Sequence, residues 1–312
     1  KPDLSPHNAS IVNPKRKLWR KPLEFSRHVS IDLHIHTTAS DGTFTPQEIL
    51  SRAQRLGLKA IAITDHDTVA GSKEALRSGI PPSLKFLTGV EISASPPPFY
   101  PGSGSFHLLG YSIRLDDPKL NGTLEKLQQA RKNRNPTIIS RLNEFGISIT
   151  LDEVRKEAGE GQLGRPHIAK LMVKKGAVAS IDEAFDRFLG TGKAAYVDKQ
   201  RVDCFEAIEI ILNAGGVPVL AHPGLLDYSN EKQFDQLIGK LKKAGILGLE
   251  VYYSEHTPDQ TSLFAELAHR HGLLMTGGSD FHGDIQPEIE MGSGKGDLIV
   301  PYELFEKLIH HG

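Results

Sequence analysis

The sequence predicts an α/β barrel with an inserted helical subdomain, on three observations. Short β-branched runs alternate with amphipathic helical stretches over residues 30–120 and again over 199–312. Between them, residues 121–198 read as helices with little strand character. Six segments then place His, Asp or Glu where separate strands end: DLHIHTTASDG (32–42), TDHDT (64–68), GVEIS (89–93), FHLLGY (106–111), AHPG (221–224) and GSDFHG (278–283). Side chains at the exits of many strands suit a barrel with its site at the carboxyl-terminal face. An open doubly wound sheet would gather them at one switch point instead.

Taken in order, IDLHIH (31–36) alternates apolar and polar residues as a half-buried strand does. Thr45, Pro46 and Glu48 form a capping box that opens a helix with the stripe Ile49, Leu50, Ala53 and Leu56, and Gly57 closes it. KAIAIT (59–64) is the next strand and delivers Asp65 and His66 at its exit. The pattern returns in FEAIEIILNAGG before VPVLAHPG (205–224), in a 231–244 helix before ILGLEVYYS (246–254), and in a 258–271 helix before LLMTGGSDFHG (273–283). A parallel sheet follows from that rhythm. The insert divides into helices at 123–143, 150–158, 166–176 and 180–190, flanked by the turn-rich DDPKLNG (116–122) and GTGKAAYVDKQ (190–200). SPPPFYPGSGS (95–105) is a connector. Residues 1–29 hold seven Lys and Arg against two acids, and read as a solvated basic extension.

Composition excludes several classes. The chain has 312 residues, 38% apolar and 24% charged, which is an ordinary globular balance. No apolar run approaches the roughly 20 residues needed to cross a bilayer, and the polar, Pro-punctuated start is not expected to act as a signal peptide. A net charge of −1 gives no bulk attraction to nucleic acid or membrane. The single cysteine, Cys204, excludes an internal disulfide and any Cys-rich zinc module. A cytoplasmic enzyme with no membrane association and no obligate protein partner is the expectation.

The six segments supply nine metal ligands: His34, His36, Asp41, His66, Glu91, His107, His222, Asp280 and His282. His34 and His36 are two apart and point the same way on a strand. Lone core histidines are commonly structural, but burying six with three acids and no partners would be costly in desolvation. Imidazole with carboxylate favours borderline metals: Mn first, with Zn, Fe or Mg as alternatives. Three divalent ions against Asp41, Glu91 and Asp280 leave a shell cationic by about three charges, suited to a phosphate dianion. No Ser/His/Asp or Cys/His nucleophile is present in the pattern, so a metal-activated hydroxide is the expected attacker.

These segments resemble the PHP family, the polymerase and histidinol phosphatase superfamily, in order and approximate spacing. The resemblance covers about 30–120 and 200–285. It implies a distorted seven-stranded (β/α)7 barrel holding up to three metals. It also implies His34, His36, Glu91 and Asp280 on one ion, Glu91, His107 and His222 on a second, and Asp41, His66 and His282 on a third. Asp41, His66, Glu91, His222 and His282 would then be catalytic. The helical insert is similar to that of the branch of nucleotide phosphatases and 5′-to-3′ exoribonucleases acting on 3′,5′-bisphosphonucleotides and short RNA. That branch's Arg-rich helix and R-x-H segment are matched by ARKNRNP (130–136) and GRPHIAKLM (164–172). Arg131 and Arg134 fall on one helical face, and Arg165 stands at a helix start, where backbone N–H groups welcome anions.

The expected substrate is therefore a phosphorylated nucleotide or short RNA, gripped by Arg131, Arg134, Arg165 and His167. The bland alternative for the arginines is solvated surface charge. His167 either meets phosphate or packs against its helix. His256, in EVYYSEH (250–256), either positions substrate or is a plain loop residue. Histidinol-phosphate phosphatase, a polymerase-associated exonuclease module and a silent metal-binding scaffold are the competing functions. The Arg-bearing insert argues against the first, a polymerase module would need a separate partner, and the full ligand set argues against the last.

Overall fold

The computed structural model describes residues 30–100, 105–158 and 163–311. The basic extension at 1–29 lies outside the described residues. Eight strands form one sheet: β1 (Asp32–Ile35), β2 (Ala60–Ile63), β3 (Lys85–Ser95), β4 (His107–Tyr111), β5 (Val202–Asp203), β6 (Val217–Leu220), β7 (Gly248–Tyr253) and β8 (Leu274–Gly278). Their order is β1-β2-β3-β4-β6-β7-β8, with β5 attached to the far end of β3. The sheet nearly closes where Asp280 N–H donates to His34 O at 2.9 Å and His36 N–H to Phe281 O at 3.0 Å. The result is a distorted seven-stranded barrel wrapped by helices.

One strand departs from the all-parallel expectation. β4 runs antiparallel to both β3 and β6, while the remaining main-path pairs are parallel. The cause is the connection. Among the described residues no helix stands between β3 and β4, and a direct return reverses direction. His107 consequently begins its strand rather than ending one, yet lies at the same rim as the residues that follow the parallel strands.

The helices are α1 (Pro46–Leu56), α2 (Ala70–Ser78), α3 (Pro118–Glu144), α4 (Leu151–Ala158), α5 (Arg165–Lys174), α6 (Ile181–Ala184), α7 (Cys204–Asn213), α8 (Glu231–Lys243), α9 (Pro258–Arg270) and α10 (Tyr302–Ile309). The capping box of α1 forms as read, with Thr45 N–H donating to Glu48 Oε2 at 2.8 Å and Glu48 N–H to Thr45 Oγ1 at 3.3 Å. Helix α3 starts five residues before the expected 123, because Asp117 Oδ1 accepts from Leu120 N–H and Pro118 follows it. It is the strut of the molecule. Leu120, Leu124 and Leu127 pack with the barrel's helices, whereas Ile138, Ile139 and Leu142 enter a separate core with Ile149, Val154, Ile168 and Met172. A π-helical turn, Phe185–Leu189, follows α6. The last helix packs where β1 begins, Ser30 pairing with Pro301, at the opposite end of that strand from His34 and His36. No helix among the described residues is long and apolar enough to cross a membrane.

Two glycines make the packing testable. A Cβ on Gly71, in the first turn of α2, would collide with the carboxylate of Asp65, and would stand 2.8 Å from Thr37 Oγ1. Gly122 in α3 faces open space. Gly71→Ala should destabilise the fold by about 1–3 kcal/mol through overpacking. Gly122→Ala should stabilise it by about 0.5–1 kcal/mol through helix propensity. Urea midpoints of the two variants read the difference, and shifts of the same sign would contradict this packing.

Candidate metal centre

Glu91, in the middle of β3, is the point on which the strand ends converge. Its Oε1 lies 2.7 Å from His107 Nδ1 and 2.9 Å from His222 Nε2, and those two nitrogens are 3.2 Å apart. Its Oε2 lies 2.9 Å from His66 Nδ1, 3.2 Å from His36 Nε2 and 3.4 Å from His34 Nε2. Asp280 Oδ1 completes that side at 2.9 Å from His36 Nε2 and 3.3 Å from His34 Nε2. Asp41 Oδ1 stands 3.6 Å from His282 Nε2, at the outer edge. The structure thus brings all nine ligand candidates into one cluster. Three groups have donor atoms close enough to share an ion: His34, His36, Glu91 and Asp280; His36, Asp41, His66 and His282; and His66, Glu91 and His107. Glu91, His36 and His66 each belong to two of them; sharing by Glu91 was expected, sharing by the two histidines was not, and His66 stands in the third group where His222 was expected.

These atoms fit divalent ions better than they fit one another. Among the described residues, His34 Nε2, His36 Nε2, His66 Nδ1, Glu91 Oε2, Asp41 Oδ1 and Asp280 Oδ1 are buried with no hydrogen-bond partner. An unmet buried polar atom costs about 1–3 kcal/mol, so six together need a common partner. Donor atoms held tetrahedrally at about 2.1 Å from an ion are ~3.4 Å apart, close to the spacings around Glu91 Oε2 and Asp280 Oδ1. The outward nitrogens are also set for ligation. His34 Nδ1 is 2.9 Å from Glu250 Oε1, and His282 Nδ1 donates to Asp280 O at 2.8 Å. Each contact holds the proton on Nδ1 and leaves Nε2 free to bind.

A second set of buried acids, absent from the candidate list, holds the ligands in place. Glu250 also accepts from His222 N–H at 2.7 Å. Asp32 accepts from Ser279 N–H at 2.9 Å and Gly292 N–H at 2.8 Å, tying β1 to the turn after β8. Asp65 accepts from Thr37 N–H at 2.7 Å and Ser40 Oγ at 2.6 Å, shaping the turn that carries Asp41. Tyr253 donates to Asp280 Oδ2 at 3.1 Å. His222 and Asp280 have φ of 25° and 58°, left-handed values that cost non-glycine residues about 1–3 kcal/mol each. The bonds from Glu250 and from the β1 carbonyl hold them there. A lone Glu within the apolar strand GLEVYY was the available sequence signal for Glu250.

The start of α5 and helix α3 reach the Asp41 edge of this cluster. A Cβ on Gly164 would be 3.5 Å from Asp41 Oδ2 and 3.7 Å from Arg131 Nη1. Arg131 is buried and donates to Asp67 Oδ2 at 2.9 Å. Asp67 in turn accepts from Ser93 N–H at 2.8 Å. Arg134 is 7% exposed, and its Nε and Nη1 have no hydrogen-bond partner among the described residues. Burial, then Arg165 and Arg131, push its pKa down to about 10. Arg165 lies over the rings of Phe185 and Tyr196 and donates to Leu189 O at 2.8 Å. His167 Nδ1 accepts from Gly164 N–H, capping its own helix. His256 sits between Val251 O and Gly224 N–H, so both ring nitrogens bind backbone. Lys199 was not among the candidates. Its Nζ is 2.9 Å from His107 Nε2 and 3.0 Å from Ser93 Oγ. Burial outweighs the pull of Asp67 and, with Arg131 and Arg165, brings its pKa to about 7.

Without metal, the cluster stores protons. Burial opposes ionisation of Glu91, Asp41 and Asp280, but the surrounding imidazoles outweigh it and hold all three well below the usual carboxylate range. Burial likewise opposes protonation of His36, but Asp280 and Glu91 prevail and raise it from 6.5 to about 10. His34 and His222 shift the same way. The protonated His36 therefore stabilises the metal-free fold fully below pH 6.5 and loses that effect as pH rises through about 10. Metal binding has the opposite sign, because ligation displaces the protons, so affinity should rise with pH across that window. Calorimetric titration with Mn in two buffers of different ionisation enthalpy at pH 7 should show release of about one or more protons per chain. Proton uptake, or no exchange, would contradict this electrostatic arrangement.

Comparison with known proteins agrees with the geometry. The PHP domain family matches residues 32–291. The 5′-3′ exoribonuclease of Haemophilus influenzae is 36% identical, covering 80% of this chain and 89% of its own. The 3′,5′-nucleoside bisphosphate phosphatase of Chromobacterium violaceum is 34% identical, covering 81% of this chain and 87% of its own. Among solved structures, a protein from Bifidobacterium adolescentis described as a metal-dependent phosphoesterase superposes with a TM-score of 0.78 at 30% identity. That superposition covers 90% of this chain and 96% of the other. Motif order, barrel and a match over most of its length together make this chain a member of the PHP domain family.

Proposed function

We propose that this metal-dependent phosphoesterase removes a phosphate from a small nucleotide that carries a second phosphate, a 3′,5′-bisphosphonucleotide, or trims the 5′ end of short RNA. The observation that carries the reading is Arg134. A buried guanidinium with unspent donors, within the fields of Arg131 and Arg165, is built for an anion that is not the one being cleaved. The names of the two curated relatives favour the same substrates.

In this proposal His34, His36, Glu91 and Asp280 hold one ion, Glu91, His107 and His222 a second, and Asp41, His66 and His282 a third. Bound divalent ions, Mn first and Zn, Fe or Mg as alternatives, supply Lewis acidity toward phosphoryl oxygens and lower the pKa of water. The chain supplies the rest. Glu91 presents one oxygen to each side and fixes the spacing of the centre. Glu250, Asp32 and Tyr253 keep the inner ligands from turning. Asp41, His66 and His282 face the insert and the incoming ester. Residues 121–198 act as the substrate-binding unit over a barrel made of 30–120 and 199–312. Asp67 pre-sets Arg131, so less side-chain freedom is lost when phosphate arrives.

A phosphate that is held but not cleaved is bound alike in ground and transition state, so losing its ligand raises KM and spares kcat. Charge-assisted hydrogen bonds contribute about 1.5–3 kcal/mol, so Arg134→Ala should lower kcat/KM for a bisphosphonucleotide by roughly 10- to 150-fold. The loss should be slight for p-nitrophenyl phosphate, which has no second phosphate. Equal losses on both substrates would remove the main support for the nucleotide reading.

A further inference from the structure

We propose that Lys199 is a ligand of the phosphate undergoing cleavage, delivered to the metal centre by the segment that returns from the insert to β5. The proposal rests on the phosphoesterase activity, and not on the second-phosphate reading above. Lys199 is half-buried, with Nζ 2.9 Å from His107 Nε2 and 3.0 Å from Ser93 Oγ. His107 turns its other nitrogen, Nδ1, into the cluster, 2.7 Å from Glu91 Oε1 and 3.2 Å from His222 Nε2.

Donor counting decides what this contact means. An imidazole that ligates through Nδ1 carries its proton on Nε2, where it can only donate. A lysine ammonium has three donors and no acceptor. Nε2–H and the ammonium then face each other donor to donor, so beside a ligating His107 the contact holds only for the neutral amine, and the ammonium must turn its donors elsewhere. Ser93 Oγ can keep one ammonium proton. The adjacent acid is Asp67, whose carboxylate already accepts from Ser93 N–H, Ser93 Oγ and Arg131. Arg131, Arg165 and Arg201, all cations, also act on Lys199. Ligation of His107 therefore leaves an ammonium with unspent donors at the rim of the cluster, among like charges, and a phosphoryl oxygen satisfies both conditions.

The test pairs two readouts on Lys199→Met, which keeps the length of the side chain and removes its charge. Calorimetric titration of the Mn-loaded protein with inorganic phosphate should show a Kd raised about 10- to 100-fold. KM for p-nitrophenyl phosphate should rise with it, in contrast to the slight effect expected of Arg134→Ala. Mn affinity should be unchanged or tighter, because a cation has been removed from beside a metal ligand. Lys199→Arg, which restores the charge, should recover part of the phosphate affinity. Wild-type phosphate affinity in Lys199→Met would overturn the proposal. So would loss of Mn together with phosphate, which would make Lys199 a support for His107, and so would absence of recovery in Lys199→Arg. Each of these outcomes leaves the bisphosphonucleotide preference to be judged separately, since inorganic phosphate probes only the cleavage site.

Discussion

The site depends on one carboxylate serving five imidazoles. Glu91 lies in the middle of the longest strand, at 1% exposure, with an oxygen toward each half of the cluster. A buried carboxylate is sustained only by close positive charge, whether from protons on imidazole or from metal ions. That requirement dictates the surrounding architecture. The strands must deliver histidines from both sides of β3, which the parallel pair β1 and β2 does on one flank. On the other flank, the antiparallel β4 brings His107 to the same rim, and β6 contributes His222 just beyond its end. A fully parallel arrangement would place the first residue of β4 at the opposite end of the barrel.

The cluster is held by polar bonds in place of apolar packing. Asp32, Asp65 and Glu250 are all fully or nearly fully buried, and each bridges segments distant in sequence. They fix the turns after β1, β6 and β8, where the backbone at His222 and Asp280 is left-handed. Strain of this kind persists only when neighbouring bonds over-determine it. The preorganisation that results keeps ligand atoms a few ångströms apart despite their mutual repulsion.

Much of this was legible in the chain because imidazoles and carboxylates are conspicuous at the ends of apolar strands. The strand–helix alternation, the helical character of residues between β4 and β5, and the segments carrying His34 through His282 could all be read from pattern and spacing. What sequence hid was division of labour among like residues. Glu91 and Glu250 both interrupt apolar strands; the motif resemblance marks Glu91, and only the fold shows Glu250 gripping His34 from outside. Arg131, Arg134 and Arg165 are alike on paper, yet one is paired with Asp67, one has unspent donors, and one is stacked between Phe185 and Tyr196. Lys199, in a charged loop, carried no signal at all, because its meaning depends on reaching His107 across 92 residues. The direction of β4 was hidden for a different reason: a Pro-rich connector does not announce whether it crosses over or returns.

The central claim is that Glu91 joins more than one ion, so its charge and not merely its shape organises the site. Elemental analysis of Mn-loaded, dialysed wild type and Glu91→Gln tests this directly, with circular dichroism confirming that both are folded. The account predicts more than one Mn per wild-type chain and a loss of about two from Glu91→Gln, because an isosteric amide is a poor bridge between cations. Equal metal content in the two proteins, or a single ion in both, would contradict it.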